Sequence, residues 1–245
     1  YYLLYSKILY EYIFICTSLF LIGYLDDIKL KVSPYIRLTL MIIFLIICIF
    51  FLPIEIYSID LIFLNLLLED KFFSVIFALL CFLFIINGAN LIDGFNGLLT
   101  INLIIINCIL LFINLKNNHL EFSSFLIAQI IILISFFLFN FPKAKMFLGD
   151  SGSYLFGSMI ALNIIISNNL NSNISAFFFC ILLFYIFFEV FFSFFRKLLQ
   201  KKSPFLPDQN HFHMLMYKYL QKKSTSLNNN SLTSLFLNTG YLILI

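Results

Sequence analysis

The sequence predicts an all-α, polytopic integral membrane protein, a helical bundle with about eight spans in a chain of 245 residues. Three observations carry that expectation. Hydrophobic residues make up 62% of the chain and charged residues 11%, against roughly 45–50% and about 25% in a soluble domain. Apolar runs of spanning length recur from one end to the other. Lys and Arg gather in alternate loops.

So much apolar side chain cannot be buried in a soluble fold of this length, and the excess must face lipid. A spanning helix needs roughly 17–25 apolar residues. Eight stretches qualify as candidates: about 3–23, 36–52, 72–92, 98–115, 122–141, 153–168, 174–195 and 231–245. The first carries Lys7 and Glu11 near its outer end, spaced to snorkel or to pair. The second and sixth are short, and the last stops at Ile245. The interrupted stretch 53–71 reads as a short strand pair or an interfacial segment. No repeat and no separate soluble domain is visible, so 1–245 reads as a single domain. It begins with Tyr1 inside an apolar run, so we expect a chain cut from a longer protein at both ends. The 34 Phe, the many Ile and Asn and the absence of Trp read as the mark of an AT-rich genome. The cysteines at 16, 48, 81, 108 and 180 lie singly in apolar runs and read as packing residues.

The charges test the alternation of loops. With the Asp26–Asp27 loop placed inside, the inner loops hold 12 of the 15 Lys and Arg, leaving Lys7, Lys71 and Lys116 outside. That bias follows the positive-inside rule. It also puts Asp26, Asp27, Asn87, Asn90, Asp93, Asn96, Asp150, Asp208, His211 and His213 on one face of the membrane.

Four segments make up that face. Asp26 and Asp27 end the first span as adjacent, partly desolvated carboxylates, a cost that a divalent cation would relieve. The same pair also reads as a solvated helix end. Asn87, Asn90 and Asp93 recur every three residues, an arc of roughly 120° on a helical turn. Gly94 and Gly97 follow and let backbone approach a ligand. The third segment runs from Phe147 through Gly149, Asp150 and Gly152, behind Lys143 and Lys145. There Asp150 reads either as a helix N-cap or as a Mg²⁺ ligand beside a phosphate held on a helix N-terminus. The fourth is an inner loop over 196–223 with Pro204, Pro207, Asp208, His211 and His213. Asp208 is placed to cap a short amphipathic helix along the membrane. The two histidines suit hydrogen bonds to a pyrophosphate better than a zinc site, which favours i,i+4 spacing.

Order and type of these segments together resemble the polyprenyl-phosphate N-acetylhexosamine-1-phosphate transferase family. The resemblance rests on Gly23 to Asp27, Asn87 to Gly97, Phe147 to Gly152 and Asp208 to His213, and covers nearly the whole chain. It implies about ten or eleven spans in a complete member and a bacterial inner-membrane enzyme with its site on the cytoplasmic face. It also implies a UDP-sugar donor, a polyprenyl-phosphate acceptor and Mg²⁺, with Mn²⁺ as the alternative ion. Carried over by motif, Asp26, Asp27 and Asp93 are the expected catalytic carboxylates. Asn90 and Asp150 are the expected metal ligands. Asn87, Asn96, Lys143, His211 and His213 are the expected substrate-binding residues. Two departures point toward the N-acetylglucosamine-type branch and away from the pentapeptide transferase of peptidoglycan synthesis. The histidine run reads His211-Phe212-His213 where that enzyme has three consecutive His, and Asn96 stands where it has Asp. The family's early basic motif is absent from this chain.

The implied reaction is phosphoryl transfer, which needs positioning and charge neutralisation more than covalent help. A transporter is the rival of a different class, since intramembrane Asp and Asn mark ion paths. Transporters place such groups near the midplane, whereas here they cluster at one interface. No nucleic-acid partner is expected, and a homodimer is left open.

Overall fold

The computed structural model describes residues 2–28, 30, 32–52, 54–203, 210–223 and 229–245, with backbone alone for 2–9 and 11. The expected ion pair of Lys7 with Glu11, the residues Pro204, Pro207 and Asp208, and the side chains of Lys29 and Lys31 lie outside the described residues. Every described element is helical. In chain order they are α1 Tyr2–Asp27, α2 Pro34–Phe51, α3 Ile62–Leu68, α4 Lys71–Ile92, α5 Leu98–Lys116 and α6 Leu120–Asn140. Then come α7 Gly149–Leu170, α8 Ala176–Leu182, α9 Phe184–Leu199, α10 Phe212–Lys223 and α11 Asn229–Leu244.

The count of about eight spans is not reproduced. Among the described residues, four helices (α2, α4, α5 and α6) are long and apolar enough to cross a membrane, and a fifth span results if α8 and α9 count as one broken helix bent by 69°. The other expected spans coincide with helices of different character. The 22-residue α7 carries a line of buried Ser and Asn among its apolar residues, and α11 has only 16 residues. The strand pair considered for 53–71 does not form. Residues 54–60 form neither helix nor strand, and α3 follows with Ile62, Phe63 and Leu66 exposed. Asn169 holds that segment, accepting from the Tyr57 N–H at 3.1 Å and donating to the Glu55 carbonyl at 2.7 Å.

Helix starts follow local chemistry. Ser33 caps α2 before Pro34, Asp70 caps α4, and Ser175 caps α8. Packing centres on α7, which lies chiefly against α1 and α4, with α5 paired to α6 and α9 resting on α4. The approach of α1 to α7 is close because Gly23 has no side chain: a Cβ there would stand 2.6 Å from Asp150 and Ser151 backbone atoms. Small residues let membrane helices approach in this way.

The interior also holds polar joints. The Asn163 amide donates to Asn107 at 2.8 Å and to Gln129 at 2.7 Å, and its oxygen accepts from the Tyr12 hydroxyl. Near the far end, Asn114 donates to Ser167 at 3.0 Å and accepts from Asn171 at 3.0 Å. All are buried, so these bonds replace water for groups that lipid could not satisfy. The asparagine content that read as genome bias is therefore also used to tie α1, α5, α6 and α7 together.

Candidate active site

One end of the bundle gathers the C-termini of α1, α4 and α6 with the N-termini of α2, α5, α7, α10 and α11. Three motifs meet at the start of α7. Gly149 has φ +67°, and a Cβ there would lie 2.9 Å from an Asp27 oxygen. The left-handed backbone and the lack of a side chain let the Asp27 carboxylate reach past Gly149. Asp27 accepts the Asp150 N–H at 3.1 Å, the Ser151 N–H at 3.0 Å and the Ser151 hydroxyl. Asp93, just past the end of α4, accepts the Gly149 N–H at 3.0 Å. Two carboxylates from other helices thus cap α7 and complement its dipole.

This corrects two expectations. Asp150 is not the N-cap: it sits in the first turn of α7, and Leu148 precedes the helix without a side-chain cap. The helix N-terminus is not an open phosphate cradle either, because Asp27 and Asp93 hold its N–H groups.

The Asp150 carboxylate is turned to side chains instead. Its Oδ1 accepts from Asn90 Nδ2 at 2.7 Å, and its Oδ2 meets Arg37 Nη1. The same Arg37 nitrogen donates to Asp26 at 3.0 Å. Arg37, on the first turn of α2, therefore ties Asp26 to Asp150. Burial pushes the Asp93 carboxyl up to about 7, with the bond from Gly149 working against that rise.

Of the expected residues, Asp26, Asp27, Asn90, Asp93 and Asp150 come together in this cluster. His213 lies alongside: its Nε2 is 4.0 Å from where a Cβ on Gly94 would stand. His211 stacks on His213 with ring centroids 5.6 Å apart. Three others are not gathered in. Asn87 donates to the Leu83 carbonyl of its own helix. Asn96 donates to the Pro142 carbonyl and fastens loops rather than facing the carboxylates. Lys143 is exposed on the segment leading to α7.

Three residues of this region were missed by sequence reasoning. Arg37 was counted only as an inner charge. Asn140 is buried and accepts from Gly97 N–H at 2.7 Å while donating to the Met146 carbonyl at 2.8 Å, joining the second motif to the third. Gly97 takes φ +74° there, which its lack of a side chain permits. Glu189 is fully buried in α9 and holds His213. It had a visible signal, a lone acid in a Phe-rich apolar run, which marks a functional group by default.

The expected metal ligands can be compared with what a divalent cation requires. Among the described residues no group of three or more His, Cys, Asp or Glu is arranged to hold a metal. Asp150 and Asn90 are adjacent, but the Asn90 amide nitrogen faces one Asp150 oxygen and Arg37 holds the other, so a cation between them requires Asn90 to turn its amide oxygen inward and Arg37 to give up its contact. Mg²⁺ is commonly held by one or two carboxylates and completed by substrate phosphates. With the Asn90 amide turned, one carboxylate and one amide oxygen match that pattern, and Mn²⁺ accepts the same ligands.

Comparison with known proteins decides the family. The family described as glycosyl transferase family 4 matches residues 10–168, about two thirds of the chain. The chain belongs to that family. Its similarity to an undecaprenyl-phosphate alpha-N-acetylglucosaminyl 1-phosphate transferase of Thermotoga maritima is 32% identity over 154 residues, covering 62% of this chain and 46% of the relative. A phospho-N-acetylmuramoyl-pentapeptide-transferase of Clostridium perfringens is 31% identical over 105 residues, 43% of this chain and 33% of the relative. One from Leuconostoc mesenteroides is 40% identical over 83 residues, 33% of this chain and 25% of the relative. The matches thus span a quarter to just under half of these relatives' own lengths. The matched family segment contains all of the carboxylates at the start of α7.

Proposed function

We propose that this family member transfers an N-acetylhexosamine 1-phosphate from a UDP-sugar to polyprenyl (undecaprenyl) phosphate and releases UMP. The reaction would run at the cytoplasmic face of a bacterial inner membrane and would begin a cell-envelope glycan such as O-antigen, capsule or teichoic acid. The observation that carries this reading is the convergence of Asp26, Asp27, Asn90, Asp93 and Asp150 at one end of the bundle. The Thermotoga relative's name supplies the substrate class.

The chemistry is an in-line displacement. A lipid-phosphate oxygen forms a bond to the β-phosphorus, the β-phosphorus–oxygen bond to UMP breaks, and UMP leaves with the electron pair. Mg²⁺ on Asp150 and Asn90 would neutralise charge on the pyrophosphate and the departing UMP. Asp26 and Asp27 then have different tasks. Both Asp27 oxygens are engaged by donors at the start of α7. Asp26 meets Arg37 and caps no helix, so it is the carboxylate placed to orient the acceptor phosphate or take its proton. Arg37 can exchange its carboxylate contacts for a phosphate oxygen, and His213 brings Nε2 to the edge of the same cluster.

A radiolabel assay of the full-length protein with undecaprenyl phosphate and a panel of UDP-sugars tests this. UDP-N-acetylglucosamine is expected to give a lipid-linked product. Labelling from UDP-N-acetylmuramoyl-pentapeptide alone would instead establish the pentapeptide-transferase reading, which the Clostridium and Leuconostoc similarities keep in view. Product from no UDP-sugar would end both.

The topology is open to test as well. Lys202 is exposed just past the end of α9, whereas Asn118 lies beside the far-end asparagines. On a cysteine-free background, an impermeant thiol reagent added to intact cells is expected to label a cysteine at 118 and spare one at 202. Labelling at 202 would invert the orientation and place the cluster outside.

A further inference from the structure

The α9 helix turns 69° away from α8 and brings one acid into a Phe-rich interior. That acid, Glu189, is 0% exposed. Its Oε1 accepts from the His213 N–H at 3.0 Å, from His213 Nδ1 at 2.8 Å and from the Tyr185 hydroxyl at 3.1 Å. Its Oε2 accepts from the Phe212 N–H at 3.1 Å. One carboxylate thus fixes both the first turn of α10 and the imidazole that this turn carries.

The hydrogen-bond pattern sets the tautomer. A carboxylate surrounded by other donors can only accept, so the proton of the Nδ1 contact belongs to the imidazole. The remaining ring nitrogen, Nε2, is then the one turned outward. His213 is itself 0% exposed, its ring edge-on to Phe95 with centroids 5.0 Å apart and stacked on His211. Its Nε2 is buried without a hydrogen-bond partner among the described residues, and lies 4.0 Å from the Cβ position of Gly94. A core histidine that served packing alone would have both nitrogens satisfied, since an unpaired buried polar atom is costly. This one has Nδ1 bonded to a buried acid and Nε2 aimed at the turn that follows Asp93.

We propose that Glu189 is a positioning residue: it holds His213 with Nδ1 protonated and Nε2 directed to the Asp93–Gly94 turn, where Nε2 meets a phosphate oxygen of the donor. The second half of this statement rests on the function proposed above; the first half does not. An acid that orients a ligand-binding histidine through its other nitrogen is a recurrent arrangement, and losing such a partner commonly costs about 10–100-fold in function.

The test uses the full-length protein in lipid nanodiscs and has two arms. Nitrogen-15 spectra of the wild-type side chains, with the His213 signals assigned by their loss in His213→Gln, report the protonated nitrogen without any turnover. A protonated Nδ1 is expected, and an unprotonated Nδ1 overturns the proposal whatever the substrate is. The second arm compares kcat and KM for Glu189→Gln, His213→Gln and the double variant. Glu189→Gln is expected to lower kcat by at least about tenfold, and to add nothing once His213 is Gln. Losses that multiply in the double variant would show that Glu189 serves α10 alone, and a kcat within about twofold of wild type would show that it serves neither. If Glu189→Gln does not accumulate in the membrane, the wild-type spectrum decides. A protein with the expected spectrum but no UDP-sugar turnover would leave the positioning in place and refute the substrate reading.

Discussion

Asp150→Asn is expected to reach the membrane at normal levels and to lose turnover by roughly 10²–10³, the cost of removing one strong electrostatic stabiliser of a transition state. The structure explains why the fold should tolerate it. The Asp150 carboxylate caps no backbone group; Asp27 and Asp93 perform that service for α7. Asn has the same size, and Arg37 keeps Asp26 as a partner. What disappears is a full negative charge beside Asn90, so a higher Mg²⁺ concentration should be needed for half-maximal rate. Membrane abundance by immunoblot, kcat, and a Mg²⁺ titration measure the three effects. Near-normal kcat with unchanged Mg²⁺ dependence would remove Asp150 from the metal-binding role.

Gly23→Ala is expected to be as damaging by another route. The added methyl would stand 2.6 Å from the Asp150 carbonyl carbon and oxygen and the Ser151 Cα. These are backbone atoms, so no rotamer change relieves the contact, and α1 must move off α7. Overpacking of this kind costs about 1–3 kcal/mol and occasionally more. Moving α1 also draws Asp27 from the two N–H groups it caps, a further loss of about 1 kcal/mol. A lower thermal midpoint in detergent and a fall in turnover should appear together. A variant with wild-type midpoint and rate would show that the α1–α7 approach is not tight.

The parts legible in the sequence were those set by local chemistry. Hydropathy alone announced a helical membrane bundle, and an Asp pair, an Asn-x-x-Asp turn and a Gly-Asp-Ser-Gly turn were separately visible. Their meeting was legible only through the resemblance, because each depends on contacts 56–124 residues apart. The roles within the cluster were not legible. Asp26 and Asp27 are equivalent neighbours on paper, yet a turn of roughly 100° along the helix sends one to Arg37 and the other to the start of α7. Asp150 looked like its own helix's cap because the true caps come from α1 and from the end of α4. Arg37 was hidden among inner-face charges, and Asn140 among asparagines read as composition. The span count is not confirmed, and α7 shows one physical reason: it is strongly enclosed, and polar joints such as Asn163 replace the apolar surface that a lipid-facing span would need.

The central claim is that a sugar phosphate, not a sugar, moves to the lipid. UDP-N-acetylglucosamine carrying ³²P at the β-phosphorus tests it most directly, supplied to the full-length protein with undecaprenyl phosphate and Mg²⁺. The account predicts that the label enters the organic phase with the lipid, that unlabelled UMP is released, and that Asp150→Asn abolishes both. Label left in the aqueous phase as UDP while the sugar becomes lipid-linked would contradict it.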